Sequence, residues 1–161
     1  MARRPIATAD ALADALRIAA AGLVIVLRQV GPSEWSTVPA EAEWSIGKDA
    51  EHVADAAMYH QWIVRRTIGQ RVPSRRPVLE RRRLTTPLTV DEAIALLRER
   101  SDDSVTLIRG LSPSQLALPT QPARRGDEPL GRTIDRVLVG HYDAHRQAIE
   151  RKLAVLGSPS G

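Results

Sequence analysis

The chain has 161 residues and no cysteine. That absence excludes disulfides, thiolate metal ligands and a protein-borne thiol nucleophile. Long hydrophobic runs are missing too. The longest, Ile18 to Leu27, is ten residues, about half the length a bilayer-spanning helix needs. Arg3 and Arg4 are followed by a mixed polar stretch, Pro5 to Arg17, rather than the apolar core of a signal peptide. The expectation is a soluble, cytoplasmic protein with no membrane partner. Period-two alternation is absent over any useful length, so almost no sheet is expected. Internal repeats are absent as well. Lysine is scarce: Lys48 and Lys152 are the two lysines among 23 basic residues.

What is present is ordinary in bulk and uneven in charge. Hydrophobic residues make up 43% and charged residues 26%, which argues against wholesale disorder and for a chain able to bury a core. Between Arg65 and Arg83 eight arginines face one acid, Glu80, so this segment carries +7 of a formal +4 and the remainder is −3. Such a segment can hold phosphate or carboxylate groups, or it can be a solvated connection. Nucleic acid is the weakest partner for it. No binding motif accompanies the arginines, and residues 65–83 contain no aromatic on which a base could stack.

Eleven prolines divide the chain and none falls within Thr8–Val30, Ile46–Ile68, Val90–Leu111 or Ile134–Leu156. A proline inside a helix costs about 3 kcal/mol or more, so these four segments read as helices of an all-α protein. The first carries Leu12, Leu16, Ala19, Leu23, Val26 and Val30 on one stripe, and Gly31-Pro32 is expected to stop it. Ser45 is positioned to cap the second, which ends at Gly69. Thr89 to Glu92 forms a capping-box pattern before the third. The fourth is expected to start at Thr133, with Asp135 near its positive end, and to close at Gly157. The connections 31–44, 69–88 and 112–132 are long; Ser112-Pro-Ser-Gln115 can nucleate a short helical turn in the last. Loops of this length permit a crossover and a non-sequential helix order. One helical domain over residues 1–157 with a disordered tail, Ser158–Gly161, is the expected organisation.

Chemistry concentrates in the histidines. His141 and His145 lie four residues apart, about 40° in angle and about 6 Å along a helix axis. They interrupt an apolar stripe of Ile134, Leu138 and Ala148, so both imidazoles should face the interior. Buried imidazoles need partners, which a shared divalent ion or backbone and carboxylate acceptors can supply. His52 lies seven residues after Ser45, and His141 eight after Thr133. If both helices start at one end of a bundle, these reach similar depth. His60, about 12 Å further along than His52, reads as structural or exposed. Asp49, Asp55 and Asp143 are close enough in sequence to orient the histidines, and Asp55, three residues after His52, is the favoured one. Trp62 and Tyr59 read as core or interface, Trp44 as a staple packing near Asp49 and His52 or on Lys48, and Tyr142 as lying on a different face from the histidines.

Two stretches carry a family resemblance. Trp44-Ser-Ile-Gly-Lys-Asp-Ala-Glu-His52-Val-Ala-Asp resembles the second-helix signature of the DinB-like (DinB/YfiT-type) superfamily, and Gly131 to Ile149, with His141-Tyr-Asp-Ala-His145 inside it, resembles the last-helix signature. Ala144 and Gln147-Ala148 depart from the best-known version of that motif and mark a divergent branch. The resemblance implies a four-helix bundle with up-down-down-up order, a metal triad of His52, His141 and His145, a zinc or nickel ion, and often a homodimer. Some members are similar to thiol-dependent S-transferases, including bacillithiol transferases and mycothiol-dependent maleylpyruvate isomerase.

Three neutral histidines would leave a divalent ion with an open coordination position, suited to a water or a substrate atom. Without a cysteine in the chain, any thiol must be a low-molecular-weight cofactor. The expectations are therefore a metal-dependent S-transferase or hydrolase acting on a small molecule, or a non-catalytic bundle that binds a small ligand or dimerises.

Overall fold

The computed structural model describes residues 6–40, 42, 44–73, 87–121 and 128–157. Residues 74–83 of the arginine-rich segment and the tail at 158–161 lie outside the described residues. The described part is helical: α1 (Ala9–Leu27), α2 (Pro32–Ser36), α3 (Ile46–Thr67), α4 (Val90–Arg109), α5 (Pro113–Leu116), α6 (Leu130–Thr133), a π-helical turn (Ile134–Val139) and α7 (Gly140–Leu156). Among the described residues there is no strand; an isolated bridge joins Pro119 and Pro129.

The caps show why the helices begin where they do. Thr8, Ser45 and Ser112 each accept a hydrogen bond from a backbone N–H in the first turn of α1, α3 and α5. Thr89 accepts from the Glu92 N–H while Glu92 accepts from the Thr89 N–H at 2.8 Å, the reciprocal pattern of a capping box. Replacing Thr89 by Ala is expected to cost about 1 kcal/mol, read as a lower urea midpoint at an unchanged m-value; an unshifted midpoint would contradict the cap. Gly69, after α3, has φ +77°, a backbone region open mainly to glycine.

Two boundaries and one helical turn differ from the sequence expectation. α1 ends at Leu27, before Gly31-Pro32, and Gly31 instead caps α2, where Pro32 occupies the first turn and Glu34 accepts from the Gly31 N–H at 2.7 Å. The 31–44 connection thus contains a helix. The last helix starts at Leu130, capped by Pro129, rather than at Thr133. Thr133 is inside it, and its hydroxyl meets the Thr120 hydroxyl at 2.7 Å and donates to Glu128 at 2.9 Å.

The third difference is the π turn. The Gly140 N–H reaches back to the Asp135 carbonyl, five residues away, so one extra residue is wound into the helix. An extra residue turns everything downstream by about 100°. The apolar stripe of Ile134 and Leu138 therefore continues through Tyr142 and Ile149, which are 1% and 0% exposed. His141 and His145 do not extend that stripe. They occupy the neighbouring face, half-buried, toward α3.

The stripe expected for the first segment is buried throughout, Leu12, Leu16, Ala19, Leu23, Val26 and Val30, and it packs with Val53 of α3 and Leu97 and Ile108 of α4 in one core. Cross-links fix the helix directions. Arg109 donates to Asp14 at 2.9 Å while Arg28 and Arg98 share the opposite end of a groove, so α1 and α4 are antiparallel. Glu51 accepts from the Leu88 N–H and Gln61 donates to the Arg100 carbonyl, so α3 and α4 are parallel. Ile6 abuts Gly131 and Gly22 abuts Arg146, so α1 and α7 are parallel. The result is an all-α four-helix bundle with up-down-down-up order, in which the end of α3 and the start of α4 lie at opposite ends of the bundle. No helix of the described residues is long and apolar enough to cross a membrane.

Candidate metal centre

The site forms where α3 and α7 face each other. These helices are antiparallel, not aligned from one end. Lys152 lies beside Trp44 and Asp49, His145 beside Asp49, His141 beside His60, and Ile134 beside Ile63 and Val64. The histidines meet because α7 overhangs the start of α3, which brings its middle level with His52.

His52, His141 and His145 each offer a ring nitrogen, and the three nitrogens lie within 4.8 Å of one another. The ring centroids are 5.0 Å apart for His52–His141, 5.1 Å for His52–His145 and 4.5 Å for His141–His145. His60 is nearer than its sequence position implies. It is half-buried and meets His141 edge-on at 5.6 Å, but it lies outside the three-nitrogen group. Trp44 closes another side, 4.9 Å from the His52 ring and stacked at 6.5 Å on His145. Tyr142 points away into the core, and burial, then the charge of Asp102, raises its hydroxyl above the usual tyrosine value.

The electrostatics favour a neutral His141. Burial, then the charges of His145, His60 and His52, bring His141 from 6.5 down to about 3. Its Nε2 is shut off from solvent and has no hydrogen-bond partner among the described residues. A buried ring nitrogen without a partner is costly, and a bound cation would supply one. Three neutral nitrogen donors fit zinc, nickel or a similar divalent ion.

A buried carboxylate orients one member of this set. Asp49, 3% exposed, holds an oxygen 3.2 Å from His145 Nδ1. Burial alone would raise its pKa. Hydrogen bonds from His145 and Lys152, with the Lys152 charge, outweigh that and hold it below the usual carboxylate range. Asp49 therefore accepts, His145 Nδ1–H donates, and Nε2 of His145 is left for a ligand role. Asp55, favoured from sequence, is buried at 7% exposure; Asp143 is half-exposed and paired with Arg146 at 3.6 Å.

Lys152 escaped the sequence analysis. Its ammonium donates to Asp49 and to the Trp44 carbonyl at 2.7 Å, with its side chain 14% exposed. The available signal was compositional: a lone lysine in the last helix of a chain that otherwise uses arginine in 21 of its 23 basic positions. A guanidinium is a wide planar fork, whereas an ammonium is a compact point charge that fits between a carboxylate and a carbonyl.

The His141 environment sets a pH dependence for the metal-free protein. In the unfolded chain the imidazole takes up a proton as pH falls through about 6.5; in the folded chain it does so only near 3. The unfolded state then binds more protons, so the contribution to stability is full above about 6.5 and declines toward 3. Urea unfolding in chelator should give a lower midpoint at pH 5 than at pH 7, and His141→Leu should narrow the gap. An equal gap in both proteins would contradict the assignment.

The comparisons with known proteins agree with the fold. The family model of the DinB superfamily matches residues 15–149, so the chain belongs to the DinB superfamily. Among solved structures, YfiT from Bacillus subtilis, described as a probable metal-dependent hydrolase with an unusual four-helix bundle topology, aligns at a TM-score of 0.69. The alignment covers 96% of this chain and 93% of that one at 19% identity, a likeness of fold. No curated protein matches the sequence.

Proposed function

We propose that this DinB-superfamily chain binds one divalent cation, zinc or nickel, through His52, His141 and His145, and uses it to transfer a group on a small molecule to a nucleophile taken from solution. Water as that nucleophile makes the protein a hydrolase; a low-molecular-weight thiol makes it an S-transferase. The observation that carries the reading is the set of three ring nitrogens within 4.8 Å, with His141 Nε2 buried and unpartnered among the described residues. A divalent ion on three imidazoles supplies a Lewis acid with an open position, the chemistry that activates either nucleophile.

The chain's own residues do the rest. Burial keeps the His141 lone pair free at neutral pH. Asp49 holds the His145 ring by its Nδ1–H. Trp44 lies against His52 and His145 on one side. A cleft of about 830 Å³ lies behind Trp44 and Asp49, with Ala148 and Val155 on its α7 wall; it has room for a small organic molecule, and it adjoins the three histidines without being lined by them. With no cysteine in the chain, no protein thiol competes with an external one.

The test is turnover by tag-free protein against two panels, ester and amide substrates in water and electrophiles with a small thiol. Chelation should abolish turnover, and added zinc or nickel should restore it. Turnover that persists in fully stripped protein would overturn the reading, and so would a failure of the protein to take up either metal.

A further inference from the structure

The buried charges behind His145 are more than the three-histidine set requires. Asp49 is 3% exposed and Lys152 is 14% exposed at the side chain, and each partner sits on a different helix. Taking two ions out of water is expensive and is recovered only when the geometry satisfies the remaining hydrogen bonds. Here it does. One Asp49 oxygen faces His145 Nδ1 at 3.2 Å and the other accepts from Lys152. Lys152 donates in addition to the Trp44 carbonyl at 2.7 Å, immediately before the Ser45 cap of α3. The same ammonium therefore sets how the Asp49 carboxylate is turned and where the Trp44 backbone is held. The Trp44 ring in turn lies 4.9 Å from His52 and stacks on His145 with an interplanar angle of 10°. Two of the three candidate ligands thus have their surroundings fixed through one side chain outside the three-nitrogen group.

We propose that Lys152 is a positioning residue for the metal centre. By bridging the Asp49 carboxylate and the Trp44 carbonyl, it aims the acceptor that orients His145 and seats the indole against His145 and His52. The proposal rests on the three-histidine metal reading. It assigns to Lys152 an effect on the cation's surroundings that does not require contact with the cation. It also explains why lysine stands here: an arginine fork would spread its donors over a plane, while both acceptors converge on a single nitrogen.

The absence of cysteine makes a clean test possible. In Lys152→Cys the new thiol is unique, and alkylation with 2-bromoethylamine rebuilds a lysine analogue, whereas iodoethane rebuilds the stem without the ammonium. Alkylation can be carried out on the unfolded chain before refolding, so instability of the unmodified variant does not remove the comparison. Cobalt(II) is the probe, read by affinity against a chromophoric chelator and by its visible absorption spectrum, which reports ligand geometry rather than fold stability. The expected result is about tenfold weaker cobalt binding with an altered spectrum in the ethylated form. The aminoethylated form should recover affinity to within about threefold of wild type together with the wild-type spectrum. Equal affinity and identical spectra in both alkylated forms, with wild type binding normally, would overturn the role of Lys152 alone. Wild-type protein that takes up no cobalt would overturn the metal reading, and this role with it.

Discussion

His141→Ala is expected to weaken divalent-cation binding by about a hundredfold or more, whereas His60→Ala should leave it within about threefold. Loss of a residue that merely orients a ligand costs about 10–100-fold, so loss of a ligand sits at or beyond the upper end. The two variants make a demanding pair because their rings touch, 5.6 Å apart, and both are half-buried on facing helices. A general packing disturbance would affect both alike. Of the two, His141 belongs to the set whose nitrogens fall within 4.8 Å, with ring distances of 5.0 and 4.5 Å to its other members. Isothermal titration with zinc or nickel on tag-free protein distinguishes them. Equal losses in the two variants would contradict the triad.

The second large effect is on stability. Trp35→Ala should cost about 3–5 kcal/mol, against the total of about 5–15 kcal/mol typical of a domain, and should lower the melting temperature by roughly 6–20 °C. Trp35 is 7% exposed and its indole N–H donates to the Leu88 carbonyl at 2.8 Å. Glu51 accepts from the N–H of the same Leu88 at 3.0 Å. Both backbone groups of Leu88 are thus held, which pins the end of the long crossover beside the start of α3. Gly47 makes this possible. A Cβ there would lie 2.8 Å from a ring carbon of Trp35, so Gly47→Ala should be destabilising by about 1–3 kcal/mol through overpacking. Calorimetry that finds either variant as stable as wild type would show that this junction does not hold the bundle together.

The long helices were legible in the sequence because they obey rules that act locally. Proline-free spans, side-chain caps at Ser45 and Thr89, and apolar spacing of three and four all point the same way, and the structure follows them. The capped turn at Ser112 was legible for the same reason. α2 was not, although Pro32 and Glu34 are sound signals of a helix start, because five residues are too few to show an apolar period. The π turn had no local signal at all. It reconciles two demands on one helix, an apolar face for the core and a histidine face for α3, and such a compromise exists only once the helices are packed.

The candidate site was read in the same mixed way. The i, i+4 spacing fixes His141 and His145 on one face whatever else happens. His52 joins them in sequence through the family resemblance; its distance from the helix start matches that of His141 only for parallel helices, and the two helices are antiparallel. Antiparallel helices bring the same residues together because α7 runs past the start of α3. Asp49 could not be singled out from sequence for a related reason: its partners, His145 and Lys152, come from another helix. Proximity to His52 in sequence carries no information about that.

Anomalous diffraction from tag-free crystals soaked in zinc tests the central claim most directly. The account predicts a single strong peak between α3 and α7, at about 2.0–2.1 Å from one ring nitrogen of each of His52, His141 and His145. A peak bound elsewhere, or none at these three imidazoles, would contradict it.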